Sequence, residues 1–79
     1  MSDSAEPLVI YDVRDRVATI TFNRPARLNA FNDDMTREAL AAMRRFDLDP
    51  DADVAVLTGA GRAFSSGADV QQRQLRPRE

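Results

Sequence analysis

The segment Val54-Ala55-Val56-Leu57-Thr58 constrains the fold more than any other part of this chain. It is a short, continuous apolar run bounded by turn residues, the pattern of a strand covered on both faces, as in parallel sheets. What precedes it supplies the crossover that a parallel strand requires. Asn32 suits a helix N-cap, Asp33 and Asp34 suit the positive end of the helix dipole, and Arg44 and Arg45 suit the negative end. Met35, Ala39, Ala42, Met43 and Phe46 fall on one face at helical spacing, so Asp33 to about Phe46 reads as an amphipathic helix. That Met and Phe stripe is a core face rather than a ligand box. Earlier still, the β-rich run Leu8 to Val13 is followed by the charged turn Arg14-Asp15-Arg16 and then by Val17 to Phe22. In the second run Ala18, Ile20 and Phe22 alternate with Val17, Thr19 and Thr21, which predicts a β-hairpin. Asn23-Arg24-Pro25 ends that strand, because proline cannot donate to a ladder and restricts the residue before it, and a loop continues to about Phe31. Strand, helix and strand in this order give a βαβ crossover, expected to be right-handed, and an α/β fold.

The length of 79 residues allows one small domain whose core is marginal, since a chain of this size buries only about 60% of its unfolded surface. Residues 1–7 are polar and end in Pro7, as a disordered leader would, leaving 8–79 as the folded part. Composition narrows the chemistry sharply. Without cysteine there is no disulfide, thiolate nucleophile or thiolate metal site, and without histidine there is no imidazole base, Ser-His-Asp triad or His-based metal centre. All eleven basic residues are arginine, so Schiff-base and P-loop lysines are excluded too. Acid–base chemistry is left to carboxylates, arginines, backbone groups or a bound water. The alternating carboxylates of Asp47-Leu48-Asp49-Pro50-Asp51-Ala52-Asp53 lack the glycine and the closing glutamate of a calcium loop, so they read as a helix-ending loop and no metal is expected. A net charge of −2 without a basic stripe argues against nucleic acid, and Arg73, Arg76 and Arg78 read as a solvated tail. No apolar run approaches the roughly 20 residues of a membrane span, and no signal or transit pattern opens the chain, so the expected compartment is the cytoplasm.

Beyond the carboxyl end of the second parallel strand, where open α/β sheets place their ligands, lies Gly59-Ala60-Gly61-Arg62-Ala63-Phe64-Ser65-Ser66-Gly67-Ala68-Asp69-Val70. All three glycines of the chain fall in this stretch. Glycine lets backbone approach a ligand closely, so the loop suggests exposed N–H donors, with an ordinary strand-to-helix turn as the alternative. Three familiar templates fail. A dinucleotide fingerprint would need glycine at Phe64, and Walker A needs other glycine spacing and a lysine. A nucleophile elbow would need glycine at Ala63 and a histidine to activate Ser65.

A fourth template fits. Ile20-Thr21-Phe22-Asn23-Arg24-Pro25, Leu28-Asn29-Ala30-Phe31 and Val56 through Val70 together closely resemble the N-terminal part of the crotonase superfamily, the enoyl-CoA hydratases and isomerases. The resemblance covers residues 8 to about 70. It implies a partial crotonase-like ββα spiral: β-hairpin, helix, parallel strand, glycine-rich loop and the start of a helix that Pro77 limits. It also implies an acyl-CoA thioester as substrate, with coenzyme A as part of the substrate and no separate cofactor. By motif position the Ala68 N–H becomes one oxyanion-hole donor, and Ser66, Gly67, Ala68, Asp69 and Val70 become coenzyme A contacts. The segment after Asn-Arg-Pro adds Arg27 and Leu28. Arg27 either meets a phosphate or is an ordinary exposed loop arginine, and Asp69 reads as a loop and helix-start residue rather than a catalytic carboxylate.

The same resemblance places the second oxyanion donor and the hydratase glutamates downstream of residue 79, and Glu6, Glu38 and Glu79 match no catalytic position. The chain is therefore expected to be an N-terminal fragment that carries part of the coenzyme A site but does not itself turn over substrate. Its parallel strand is then expected to lack neighbours, with apolar faces and backbone edge exposed. The parent family implies a homo-oligomer, a trimer or hexamer. The other reading is a non-catalytic module that keeps the crotonase start and docks a complementary subunit.

Overall fold

The computed structural model describes residues 7–65 and residue 67. Strand β1 (Val9–Arg14) and strand β2 (Val17–Phe22) form the hairpin, a single 3-10 turn (Pro25–Arg27) opens the next loop, helix α1 (Asp33–Asp47) follows, and strand β3 (Val54–Gly59) closes the order. The sheet runs β1-β2-β3, with β1 antiparallel to β2 and β2 parallel to β3. The chain thus has the α/β architecture its periodicities predict. The expected leader falls on residues 1–6 outside the described part and on Pro7, an exposed residue whose carbonyl accepts from Asn23 Nδ2 at 3.0 Å. The expected helix start after Gly67 lies outside the described residues as well.

Alternation builds the core. Ala18, Ile20 and Phe22 of β2 are buried on the face toward α1, which answers with buried Met35 and Ala42. Leu8, Val9, Tyr11, Phe31, Ala39 and Ala55 pack around them. Asn32 caps α1 as its sequence predicts, Oδ1 accepting from Met35 N at 2.8 Å, and the helix runs one residue past the expected end at Phe46. Glu38 ties helix to hairpin: its Oε1 accepts from Leu8 N at 3.0 Å and Val9 N at 3.1 Å.

Two packing expectations are corrected. Met43 was expected in the core stripe but is 46% exposed, because the seam over β1 and β2 is filled by Met35, Ala39 and Ala42 and the outer edge of the helix turns away. Strand β3 was expected to be covered on both faces, yet Val54, Val56 and Leu57 are exposed. The reason is topological: among the described residues β3 pairs with β2 alone, and α1 packs chiefly on β1 and β2. This exposure matches the expectation of a parallel strand left short of neighbours.

The turn end of the hairpin is fixed to β3 by charge. Arg14 pairs with Val17, leaving Asp15 and Arg16 as a two-residue turn with φ of 53° and 68°. Positive φ at both positions matches the twist of a hairpin, although glycine or asparagine adopts it with less strain. Arg16 offsets that cost through a forked contact with Asp53 (Nε to Oδ2 2.7 Å, Nη2 to Oδ1 2.9 Å) and a bond to Pro50 O at 3.0 Å. The Arg16 carbonyl also accepts from Asp53 N at 2.8 Å, which places the residue before β3 and so its register.

Candidate functional site

Because β2 and β3 are parallel, their carboxyl ends, Phe22 and Gly59, lie side by side and deliver two loops to one edge of the sheet. The first is 23–31. Its 3-10 turn starts at Pro25, whose fixed φ suits that position, and ends in Leu28 and Asn29, both left-handed at φ 52° and 56°. Asparagine tolerates that conformation better than most side chains. The second loop, 60–67, departs from Gly59. A Cβ at residue 59 would collide with Ala63 O and lie 2.5 Å from Phe64 O and 2.7 Å from Asn29 Nδ2, so only glycine lets the loop fold back this tightly.

Asn29 joins the two loops. It is fully buried, and its Oδ1 accepts from Arg24 N at 2.7 Å while its Nδ2 donates to Ala60 O at 3.0 Å and Ala63 O at 2.6 Å. Its main-chain carbonyl accepts from Ser65 Oγ at 2.9 Å, and the same hydroxyl accepts from Gly67 N at 3.1 Å. Phe31 N then donates to Gly67 O at 2.8 Å, and Ala60 N to Phe22 O at 2.8 Å. Arg24 braces the first loop internally through Nη1 to Ala30 O at 2.7 Å. Apolar contact reinforces the seam, with the Phe22 ring 4.9 Å from Phe31 edge-on and 5.2 Å from Phe64.

The structure therefore brings the segment holding Arg27 and Leu28 against the segment that ends at Gly67. Arg27 is exposed at the end of the 3-10 turn, Leu28 is partly buried, and Gly67 is exposed with φ 100°, a conformation that favours glycine. Ser66, Ala68, Asp69 and Val70 lie outside the described residues. Glu38 is occupied with the start of β1, where its Oε1 accepts from the Leu8 and Val9 amides. The residue that sequence reasoning passed over is Asn29. It was legible only as part of Leu28-Asn29-Ala30-Phe31, since its partners lie 31 and 34 positions downstream.

The perturbed titrating groups belong to the opposite end of the sheet. Backbone donation from Asp51, with the Tyr11 hydroxyl, holds the Asp49 carboxyl below its ordinary value, and the Arg16 guanidinium does the same for Asp53. Partial burial and then the Asp49 contact push the Tyr11 phenol up. These groups serve the helix-ending loop. Among the described residues no cluster of carboxylates is arranged to hold a metal ion, and no helix is long and apolar enough to cross a membrane.

A profile of the enoyl-CoA hydratase/isomerase family matches residues 12–78, a span containing both loops. The chain belongs to the enoyl-CoA hydratase/isomerase family. Within it, a probable enoyl-CoA hydratase of Mycobacterium tuberculosis is 47% identical over 62 residues, which is 78% of this chain and 24% of that protein. The 1,2-epoxyphenylacetyl-CoA isomerase of Escherichia coli is 38% identical over 69 residues, 87% of this chain and 26% of that enzyme. The crystal structure of an enoyl-CoA hydratase from Mycobacterium marinum superposes with a TM-score of 0.84 at 40% identity, over 89% of this chain and 28% of the other. The fold is thus that of the N-terminal part of a crotonase, and the chain spans about a quarter of the length of the relatives it matches.

Proposed function

We propose that this chain carries the N-terminal acyl-CoA-binding elements of an enzyme that acts on 2-enoyl-CoA thioesters, with addition of water across the double bond as the reaction served. The observation that supports it most is the pair of loops at the carboxyl ends of β2 and β3, bound to each other through Asn29, inside the span that matches the family. In this reading the Ala68 N–H is an oxyanion donor, and Arg27, Leu28, Ser66, Gly67, Asp69 and Val70 contact the coenzyme A portion. The chemistry suits such a loop. Water addition, or loss of an α-proton, shifts negative charge onto the thioester oxygen, and one preorganised N–H donor contributes about 3 to 4 kcal/mol to stabilising it. A guanidinium at Arg27 matches the geometry of a phosphate oxygen pair.

Hydration is not expected from the described residues, because Glu38, the only glutamate among them, is committed to the Leu8 and Val9 amides. Crotonyl-CoA should therefore bind without turnover. Hydration at the rate of an intact hydratase would contradict this division between binding and proton-transfer groups. The exposed apolar strand β3 favours a second reading, an assembly module that docks a complementary chain. Absence of crotonyl-CoA binding, together with a fold that persists, would favour that second reading.

A further inference from the structure

We propose that Asn29 is a positioning residue for Arg27: it closes the loop 23–31 on itself, pins it to 60–65, and so fixes the main chain from which the Arg27 guanidinium reaches a phosphate of coenzyme A. The inference rests on the acyl-CoA reading given above and deepens it by naming what holds its phosphate contact in place. Asn29 is fully buried, and every polar group it has is engaged. Its N–H donates to Arg24 O at 2.8 Å and its Oδ1 accepts from Arg24 N at 2.7 Å, so it grips both main-chain groups of the residue that opens the 3-10 turn. Nδ2 donates to Ala60 O and Ala63 O, and the Asn29 carbonyl accepts from Ser65 Oγ, all on the neighbouring loop. Arg27 sits inside this ring. Its N–H donates to Arg24 O and its carbonyl accepts from Ala30 N, each at 3.0 Å, while Arg24 Nη1 holds Ala30 O at 2.7 Å. The main chain of this exposed arginine is thus held by Arg24, which Asn29 grips, and by Ala30, which follows Asn29.

The backbone shows why such a hold is needed. Leu28 and Asn29 are consecutive left-handed residues at φ 52° and 56°, and a leucine in that region is strained, a state that persists only where the surroundings over-determine it. Asparagine at 29 is a short amide that accepts and donates at once while tolerating positive φ. The facing loop is shaped to receive it. A Cβ at Gly59 would lie 2.7 Å from Asn29 Nδ2 and one at Gly61 2.9 Å from Pro25 Cβ, so both glycines let 60–65 seat against the turn that carries Arg27. A loop already held in its binding form loses less entropy when a ligand arrives, which is what a phosphate contact through one long side chain requires.

The test is a double-mutant cycle on the full chain, with free coenzyme A as the probe and calorimetry as the readout. Arg27→Ala removes the guanidinium, and Asn29→Gly deletes the amide while leaving the left-handed backbone unstrained. Arg27→Ala should weaken coenzyme A binding by about tenfold or more, the loss of a charge-assisted contact. Asn29→Gly should weaken it as well, and the double variant should bind no more weakly than Arg27→Ala alone, because a residue that acts through Arg27 has nothing to position once Arg27 is gone. Losses that multiply in the double variant, or an Arg27→Ala chain that binds like the wild type, would overturn the proposal. Amide hydrogen exchange supplies the structural control. The Ala30 amide, which holds the Arg27 carbonyl, should exchange at least about tenfold faster in Asn29→Gly, with Ala39 and Ala42 of α1 unmoved. Equal acceleration of turn and helix would mean only general destabilisation and would also overturn it. If Asn29→Gly fails to fold, Ser65→Ala takes its place in the cycle, since it releases the Asn29 carbonyl alone; a smaller loss with the same non-additivity is expected, and multiplying losses would overturn the proposal there too. If the wild-type chain binds no coenzyme A, the acyl-CoA reading fails, and the Ala30 exchange result alone decides whether Asn29 holds the turn.

Discussion

Asn29 and Arg16 do similar work at opposite ends of the sheet: each is a polar side chain in a left-handed backbone position, and each ties a loop to β3 or its flanks. They differ in burial and therefore in sensitivity to solution conditions. The Arg16 and Asp53 side chains are exposed, so their ion pair is screened by salt and responds to pH. Asp49 and Asp53 have depressed values in the folded chain, and the unfolded chain therefore takes up protons first as acid is added. Their stabilisation is present above the ordinary carboxylate value of 3.8 and is lost as pH falls through the lowered values. Urea midpoints measured across this acid range should fall for the wild type and fall less steeply for Asp53→Asn. Tyr11 runs the other way: its raised value means that its contribution holds below the ordinary phenol value of 10.0 and disappears as pH rises through the raised one. Gly59 is a steric matter. Gly59→Ala should destabilise by about 1 to 3 kcal/mol through overpacking against Ala63, Phe64 and Asn29, read as a lower urea midpoint with unchanged slope.

The elements were legible wherever their cause was local. The alternation of Ala18, Ile20 and Phe22 placed β2, and the Asn32 cap with Asp33 and Asp34 placed the start of α1 within a residue. Asn32→Ala should cost about 1 kcal/mol of stability, measured by far-ultraviolet dichroism in urea. What local pattern could not show was the environment each element meets. The unbroken apolar run of β3 is equally compatible with a covered strand and with an edge awaiting a neighbour, and Val54, Val56 and Leu57 are exposed because the sheet stops there among the described residues. Helical periodicity assigned Met43 to the core, whereas Met35, Ala39 and Ala42 are the helix residues packed there and Met43 is left exposed. Glu38 shows the same limit from the polar side, since nothing near it in the sequence announces that it accepts from amides 29 and 30 positions away. An exposed strand edge with apolar side chains promotes association. Val56→Lys should therefore lower self-association in sedimentation velocity while leaving the dichroism of α1 intact.

Across the described residues, the hairpin, helix and parallel strand form a platform that brings 23–31 and 60–67 together. The core beneath them is small, centred on Ile20, Phe22, Met35 and Ala42. Met35→Ala should cost about 2 to 5 kcal/mol, a large share of the stability of so short a chain, and should appear as loss of cooperative unfolding. The candidate site was half legible. The motif residues around Arg27, Leu28 and Gly67 could be read from the sequence, while the hydrogen bonds that unite their loops depend on a register between β2 and β3 that only folding supplies. The most direct measurement is a titration of the isotope-labelled 79-residue chain with crotonyl-CoA, followed by amide resonances. Binding at the paired loops predicts shifts concentrated at Arg27, Leu28 and Gly67, with Ala39 and Ala42 of α1 unmoved. Saturating ligand that leaves those three amides in place, or moves only the residues of β3, would contradict it.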